Sequence, residues 1–241
     1  MIMKVKNDLL GYKGLKIIQN TDYFSFSLDS VLLPNFVKIP KNCKNVLDIG
    51  TGNAPIPLIL TTKTDAEITA IEVQKEIFEM AKETVEINNL GNKIKLINDD
   101  VNNIGKYYDC EYFDIILSNP PYFKVAEMSK KNDNIVKANA RHELLLNLEQ
   151  LISISFKYLK NNGVFAMVYR TERLTDVLNV MRKNRIEPKR ITMIFPKENL
   201  NSNLFLIEGI KNAKHGLKEV NKIIVHDNNG NYTDSVLKYF K

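Results

Sequence analysis

Short apolar runs alternate with amphipathic helical patterns along most of this chain, and this alternation limits the folds that it can adopt. The predicted strands are residues 44–49, 67–72, 93–97, 113–118, 163–169, 189–195 and 204–210. The predicted helices are residues 54–62, 74–88, 143–160 and 172–184. In helix 74–88, spacings of three and four predict a buried face made by Ile77, Met80, Ala81, Thr84 and Ile87. Strands that alternate with helices favour a doubly wound, mostly parallel sheet with helices on both faces.

The two ends of the chain depart from this alternation. Residues 189–195 and 204–210 are joined by a connection too short for a crossover helix, so we expect a C-terminal antiparallel hairpin. The result is a Rossmann-like α/β fold with a seven-stranded sheet. About 43 residues precede the first strand, and they look strand-like rather than helical. We therefore expect residues 1–43 to form a strand or hairpin extension that covers the ligand site, and residues 44–241 to form the main domain.

Composition argues against several classes of protein. The chain has 241 residues, of which 44% are hydrophobic. It contains no run of about 18 apolar residues and no apolar stretch near its N-terminus, so we expect neither a membrane span nor a signal peptide. Its two cysteines and three histidines lack the spacing of metal ligands, which argues against a zinc site. We expect a cytoplasmic monomer without a metal. The net charge of +6 permits a phosphate-rich partner without requiring one.

Acidic residues stand at the ends of three successive predicted strands. Asp48 opens the sequence Asp-Ile-Gly-Thr-Gly-Asn, in which Gly50 and Gly52 allow a tight turn and a close approach of ligand to main chain. Position 55 is proline, so the pattern departs from the dinucleotide-binding G-x-G-x-x-G. Asp48 is placed to bind a ligand ammonium group, directly or through water.

The next two strand ends extend this interpretation. Glu72 is placed to accept hydrogen bonds from both hydroxyls of a ribose. Asp99 and Asp100 can accept from the amine of an adenine. An amino acid, a ribose and an adenine in this order are the parts of S-adenosyl-L-methionine. Each acid taken alone could equally cap a helix or lie in solvent at the sheet edge.

Asn119-Pro120-Pro121-Tyr122 directly follows the predicted strand 113–118. The prolines end the strand, which puts the tetrapeptide at the carboxyl end where open α/β sheets bind ligands. The side chain of Asn119 and the main chain of Pro120 each offer a carbonyl acceptor, and Tyr122 offers a flat face. This combination suits a planar group that carries an NH2, such as adenine or the amide of glutamine. The alternative is a simple loop after a strand.

These motifs resemble those of class I S-adenosylmethionine-dependent methyltransferases, in particular the Asn-Pro-Pro-Tyr enzymes that methylate amino groups. Residues 24–33, 141–143, 204–211 and 230–233 are also similar to the bacterial valine tRNA adenine-N6-methyltransferase family, so the resemblance covers about residues 20 to 240. It implies methylation of the adenine next to the anticodon.

The resemblance also implies roles for individual residues. Asn119, Pro120 and Tyr122 would be catalytic, and Asn119 would also contact the cofactor. Phe24, Phe26 and Asp29 would cover the methionine end of the cofactor, although the aromatic side chains could instead pack a core. The family usually has a third glycine where this chain has Ala54, and a methyl group there is tolerable if the local φ is negative.

The segment 122–141 is a long connection with little apolar pattern, and such connections often carry substrate contacts. Its candidate phosphate contacts are Lys124, Lys130, Lys131, Lys137 and Arg141. With tyrosine faces for the base, it would suit an RNA strand, and the alternative is a solvated loop. His142 is a candidate substrate contact rather than a general base, because amine methylation needs no base in the rate-limiting step.

The sequence therefore predicts transfer of a methyl group to the N6 amine of an adenine in tRNA. One alternative is a protein glutamine N5-methyltransferase, which uses the same tetrapeptide but generally carries a helical N-terminal domain. Others are methyltransferases that act on amino groups of rRNA or DNA, although a DNA enzyme would usually need an added target-recognition region. A binding module with a degenerate cofactor site is disfavoured by the intact Asp48, Glu72 and Asn119.

Overall fold

A computed structural model describes residues 4–12, 14–20, 27–120 and 146–240 of the chain. The strands are β1 (Lys4–Asp8), β2 (Lys16–Asn20), β3 (Asn45–Ile49), β4 (Glu67–Ile71), β5 (Ile94–Ile97), β6 (Phe113–Ser118), β7 (Leu159–Arg170), β8 (Ile186–Lys197), β9 (Leu204–Lys211) and β10 (Glu219–His226). The helices are α1 (Leu28–Phe36), α2 (Pro55–Leu60), α3 (Lys75–Ile87), α4 (Leu148–Tyr158), α5 (Leu174–Lys183) and α6 (Asp234–Leu237). Short 3-10 helices span Val101–Lys106 and Thr171–Arg173.

Eight of these strands form one sheet in the order β10-β8-β9-β7-β6-β3-β4-β5. β9 runs antiparallel to both of its neighbours, and the other neighbouring pairs are parallel. From β3 the chain moves outward through β4 and β5, and it then returns to place β6 on the other side of β3. The strand order therefore reverses between β3 and β6, which is where open α/β sheets bind their ligands. The predicted doubly wound, mostly parallel sheet is confirmed.

Helices cover both faces of the sheet because successive side chains of a strand point to opposite faces. On β3, Val46 packs into one core together with Leu32 of α1. Its neighbour Leu47 packs into the other core, together with Leu151 of α4 and Val177 of α5. The described helices are all too short or too polar to span a lipid bilayer.

The C-terminal part of the sheet is larger than predicted. β8 and β9 form the expected antiparallel hairpin, but β9 lies between β7 and β8. An eighth strand, β10, pairs parallel with β8 and forms the edge of the sheet. Its residues Val220, Asn221 and Lys222 are all exposed. This run without a buried residue hides the apolar alternation that would mark a strand.

Helix boundaries follow local capping and pairing. α4 begins after Asn147, whose side chain forms a capping box with Gln150. The prediction that this helix continues to residue 160 is wrong, because Leu159 is already in β7 and pairs with Phe113. Residues 143–145 lie outside the described part of the chain. The helix predicted at 172–184 starts as a 3-10 turn and becomes α-helical from Leu174.

The buried face of α3 differs from the prediction at one residue. Four of the five predicted side chains are buried as expected: Ile77, Met80, Ala81 and Thr84. Ile87 is 37% exposed, so its predicted burial is wrong. Val85 is buried instead.

The N-terminal segment contains a hairpin and a helix. β1 and β2 pair antiparallel, and β2 packs against α3, where the main-chain N–H of Ile18 donates to Thr84 Oγ1 at 3.0 Å. The prediction that the whole segment is strand-like is wrong for α1, which forms despite Pro34 in its interior. Val31, Leu32 and Leu33 of this helix are fully buried. Tertiary burial thus outweighs the local cost of a proline.

Candidate active site

The candidate site lies at the carboxyl ends of β3, β4, β5 and β6, where the strand order reverses. Ile49 of β3 is in register with Ser118 of β6. The hydroxyl of Ser118 also donates to the main-chain carbonyl of Ile49 at 2.9 Å. These contacts join the two strand ends. Asp48 precedes Ile49 and Asn119 follows Ser118, so both residues lie at the same edge of the sheet.

The glycine turn after β3 is open to a ligand. Gly50 and Gly52 have left-handed φ angles of 70° and 61°, which favour glycine over residues with a side chain. The main-chain N–H groups of Gly50 and Thr51 donate to the carbonyl of Ile71 and tie the turn to the end of β4. A Cβ atom added at either glycine would meet no atom of the described residues within 4 Å. The glycines therefore leave space beside the main chain that no described side chain fills.

The carboxylate of Asp48 is buried and lacks well-placed hydrogen-bond donors among the described residues. It is fully buried, and its two oxygens make no well-formed hydrogen bond to any described residue. The nearby Thr51 hydroxyl is in the same state. Burial raises the pKa of Asp48 to about 7, while the Thr51 hydroxyl opposes this rise and the Glu72 charge adds to it. A buried carboxylate of this kind is costly unless a positive group completes it.

Glu72, directly after β4, is held against the glycine turn. Its Oε2 accepts from the main-chain N–H of Gly52 at 3.1 Å, and its Oε1 accepts from that of Gln74 at 2.9 Å. Only 2% of Glu72 is exposed. Burial raises the pKa of Glu72 to about 7, and the hydrogen bonds from the main chain oppose the rise. This carboxylate is thus fixed beside the space left by the glycines.

The acids after β5 are in a different electrostatic state. Asp100 caps the 3-10 helix by accepting from the main-chain N–H of Asn102. Asp99 accepts from the side chains of Asn103 and Tyr107. The hydrogen bond from Asn103 is the main cause that holds the pKa of Asp99 below its usual value. Both acids are satisfied by the protein itself.

An open cleft lies beside Asp99 and Asp100. It is lined by Ile49, Gly50, Ile71, Val73, Asp99, Asp100, Val101 and Leu146. Apolar walls beside carboxylates suit the chemistry of a flat ring that carries a hydrogen-bond donor at its edge. The described residues contain no group of three or more His, Cys, Asp or Glu side chains placed to hold a metal ion.

Asn119 contacts helix α1 across the site. Its side-chain amide nitrogen donates to the hydroxyl oxygen of Ser30 at 3.0 Å. Ser30 is in the first turn of α1 and is 6% exposed. Asp29 precedes it and accepts from the Ser27 hydroxyl at 3.0 Å, and burial raises the pKa of Asp29. α1 therefore brings Asp29 to the edge that carries Asn119.

Comparison with known proteins identifies the family. The model of the methyltransferase small domain family matches residues 27–184, which is more than half of the chain. The chain belongs to this family. The match includes the glycine turn, the strand-end acids and Asn119.

Two curated relatives and one solved structure extend the comparison. The tRNA1(Val) (adenine(37)-N6)-methyltransferase of Parabacteroides distasonis is 28% identical over 202 residues, which cover 84% of this methyltransferase and 83% of that protein. The Aeromonas hydrophila protein of the same name is 26% identical over 238 residues, covering 97% and 95%. The structure of a predicted O-methyltransferase from Agrobacterium tumefaciens superposes with a TM-score of 0.69 at 19% identity, covering 88% and 95%. At that identity the likeness shows the fold alone, and it confirms the Rossmann-like fold class.

Ala54 does not meet the condition of a negative φ under which a methyl group is tolerable at this position. It has a φ of 69° and precedes α2 in a left-handed conformation. Such a conformation costs an alanine roughly 1–2 kcal/mol. Its methyl group is fully buried, so it packs into the protein rather than into the space beside Gly50 and Gly52.

Several predicted site residues lie outside the described part of the methyltransferase, and their roles stay predictions. They are Phe24, Phe26, Tyr122, Lys124, Lys130, Lys131, Lys137, Arg141 and His142. Sequence reasoning missed Ser30, Thr51 and Ser118, which the structure brings to the site. Ser30 is part of the segment 24–33 that carries the family resemblance. Its contact with Asn119 could not be predicted from the sequence, because serine occurs in many structural environments.

Proposed function

We propose that this methyltransferase transfers a methyl group from S-adenosyl-L-methionine to the exocyclic N6 amine of an adenine in tRNA. The observation that carries the proposal is the position of Asp48 and Asn119 at the carboxyl ends of the neighbouring strands β3 and β6. The Asp48 carboxylate has no well-formed hydrogen bond to any described residue, and the Asn119 amide suits an amine. The names of the two relatives support adenine 37 of valine tRNA as the target.

The described residues fit the proposed cofactor. The carboxylate of Asp48 would bind the ammonium group of the methionine part of the cofactor. The space beside Gly50 and Gly52 would receive the rest of that methionine part. Glu72 would accept from the ribose hydroxyls, and Asp99 and Asp100 from the adenine amine at the end of the cleft. When bound, the cofactor supplies a methyl group activated by its sulfonium. Asp29 and Phe26 would lie over the methionine end, as part of an extension formed by residues 1–43.

Asn119 and Pro120 would orient the nucleophile. Their carbonyl oxygens would accept the two hydrogens of the amine and draw the nitrogen lone pair out of conjugation with the base. Tyr122 would stack on the base, which must leave its own stack to enter the site. The proton that the amine loses would leave to water. Orientation of the reacting groups would supply most of the rate.

The decisive experiment offers two substrate classes to the purified enzyme. Labelled cofactor is added with either bulk tRNA or a glutamine-bearing release factor, and the RNA product is digested to nucleosides. We expect label in N6-methyladenosine, and sequencing of the tRNA should place it at position 37 of valine tRNA. Label confined to protein would overturn the proposal in favour of a glutamine N5-methyltransferase.

Asn119→Ala is the matched variant for this assay. Because the lost acceptor acts on the reacting amine, single-turnover transfer should fall on the order of a hundredfold or more. Cofactor binding, measured by calorimetry, should stay near wild type. A transfer rate within a few-fold of wild type would show that Asn119 does not orient the amine.

The segment 122–141 is the proposed contact with the tRNA backbone. Replacing Lys130, Lys131 and Lys137 together by glutamine should weaken tRNA binding and flatten its dependence on salt. Each lost phosphate contact should reduce the log–log slope by roughly 0.7–0.9. The control replaces three exposed lysines elsewhere, namely Lys41, Lys82 and Lys157. Equal effects of the two triple variants would show that only net charge matters. We also propose that the enzyme works as a monomer in the cytoplasm, where its tRNA substrate is found.

A further inference from the structure

We infer that Ser30 is a positioning residue that orients the Asn119 amide for methyl transfer. The inference rests on the proposed function, because it assigns to Ser30 the task of presenting Asn119 to an amine. Helix α1 thereby has a specific role, which is to bring the Ser30 hydroxyl to the end of β6.

The chemistry of an amide makes its orientation decisive. Only the carbonyl end of Asn119 can accept an amine hydrogen, whereas its NH2 end would meet that hydrogen donor to donor. The last torsion of an asparagine side chain is broad and roughly two-fold, so the residue does not choose between the two ends by itself. Pro120 has no N–H and cannot assist from the next position. A group outside β6 must therefore contribute to the choice.

Ser30 occupies the required position. Its hydroxyl oxygen accepts from the Asn119 amide nitrogen at 3.0 Å, between residues that are 89 positions apart in sequence. This contact occupies the NH2 end and turns the carbonyl end away from α1. Ser30 is almost completely buried, so little water competes for the same bond.

Helix α1, which carries Ser30, is itself held in place by contacts with other parts of the protein. Asn35 bonds to the hydroxyl of Tyr12 at 2.7 Å, which joins the helix to the N-terminal hairpin. At the end of the helix, the Arg190 guanidinium donates to the carbonyl of Phe36 at 3.0 Å and stacks over its ring at 4.5 Å. A functional group is held most precisely when its supporting residues are themselves locked by packing and hydrogen bonds. α1 is thus a rigid brace between Asn119 and the far half of the sheet.

The first test is the split between turnover and binding. Ser30→Ala should lower single-turnover methyl transfer roughly two- to tenfold, the loss expected for one neutral hydrogen bond. Affinity for cofactor and KM for tRNA should not change, and Ser30→Thr should restore part of the rate because it keeps the hydroxyl. Ser155→Ala is the control, since it removes an equally buried hydroxyl that bonds to Leu151 on the other face of the sheet. A full rate for Ser30→Ala would overturn the inference, as would equal losses in the two alanine variants.

A double-mutant cycle separates positioning from a general structural role. If Ser30 acts through Asn119, Ser30→Ala should cause no further loss of rate in the Asn119→Ala background. An additive loss would overturn the inference even if the single variant is slow. The proposed function fails differently, because the wild-type enzyme would then form no N6-methyladenosine in tRNA. In that case the same cycle can be run on the glutamine substrate, whose amide also presents an NH2 to Asn119.

Discussion

Buried carboxylates occur in both halves of the sheet, but their surroundings differ. Glu208 of β9 is 3% exposed, and its Oε2 accepts from Arg190 at 3.1 Å and from the main-chain N–H of Lys38 at 2.8 Å. Asp48 of β3 is fully buried and has no well-formed hydrogen bond to any described residue. Since an uncompensated buried charge destabilises a fold, the difference agrees with a structural role for Glu208 and with the proposed role of Asp48 in binding a ligand.

The largest effect on stability should come from removing the ion pair between Arg190 and Glu208. Arg190→Met leaves Glu208 buried without its cation, which should reduce the free energy of unfolding by roughly 3–5 kcal/mol. Denaturant unfolding at neutral pH measures the change. Arg182→Met is the control, because Arg182 is 56% exposed and its ion pair with Glu187 should contribute under about 1 kcal/mol. If the two variants are equally stable, the pairing of Glu208 is not structural. Cofactor affinity should stay near wild type in both.

Asp48→Asn should weaken cofactor binding and leave the stability of the protein unchanged or higher. Loss of a charge-assisted hydrogen bond of about 1.5–3 kcal/mol should weaken cofactor affinity at least about tenfold in calorimetry. The ligand-free variant should be no less stable than wild type at pH 8, since it no longer buries a charge. A variant that binds the cofactor normally would remove Asp48 from the site. A variant that unfolds easily would show that Asp48 is structural after all.

The pH dependence of stability tests the same contrast. The folded pKa of Asp48 is raised to about 7, and the unfolded value is the ordinary 3.8. The folded state therefore holds the proton more tightly, so this residue lowers stability as pH rises from about 4 to about 7 and adds no slope above that. Glu72, also at about 7, acts in the same direction. Unfolding of the ligand-free protein over this range should show a shallower decline in Asp48→Asn. An unchanged slope would contradict the raised pKa of Asp48.

A smaller effect is expected at the glycine turn. Gly52→Ala should cost roughly 1–2 kcal/mol of stability through its left-handed backbone. Gly230→Ala is a matched control with a φ of 87° and equally open surroundings. Both variants should lose similar stability, but only Gly52→Ala should weaken cofactor binding, because its methyl group enters the proposed ligand space. Equal cofactor affinity in the two variants would show that this space is not used.

Ala54→Gly should have the smallest effect of all. The substitution removes the strain of a left-handed alanine, which stabilises the fold. It also raises the conformational entropy of the unfolded chain and removes a buried methyl group, and both changes destabilise the fold. These contributions to the free energy of unfolding nearly cancel. We expect stability to change by less than about 1 kcal/mol and cofactor affinity to stay near wild type. A large gain in affinity would show that the alanine limits the site.

Much of this arrangement could be predicted because it is encoded locally. Short apolar runs specify strands such as β3 and β6, and the prolines after Asn119 end the latter. Glycines at positions 50 and 52 indicate a turn whatever surrounds them. Local patterns were less informative where burial decides the outcome. α1 contains Pro34 and was expected to be strand-like, and β10 has too few buried residues to be visible as a strand.

The sequence by itself determined the alternation of strands and helices, the position of an acid at three strand ends and the stop after β6. Only the tertiary structure decided that burial raises the pKa of Asp48 and Glu72, while hydrogen bonds lower that of Asp99. It also decided that Ser30 reaches Asn119. The reason is physical: secondary structure follows from the periodicity of neighbouring residues, whereas desolvation and side-chain pairing depend on groups that only the folded chain brings together.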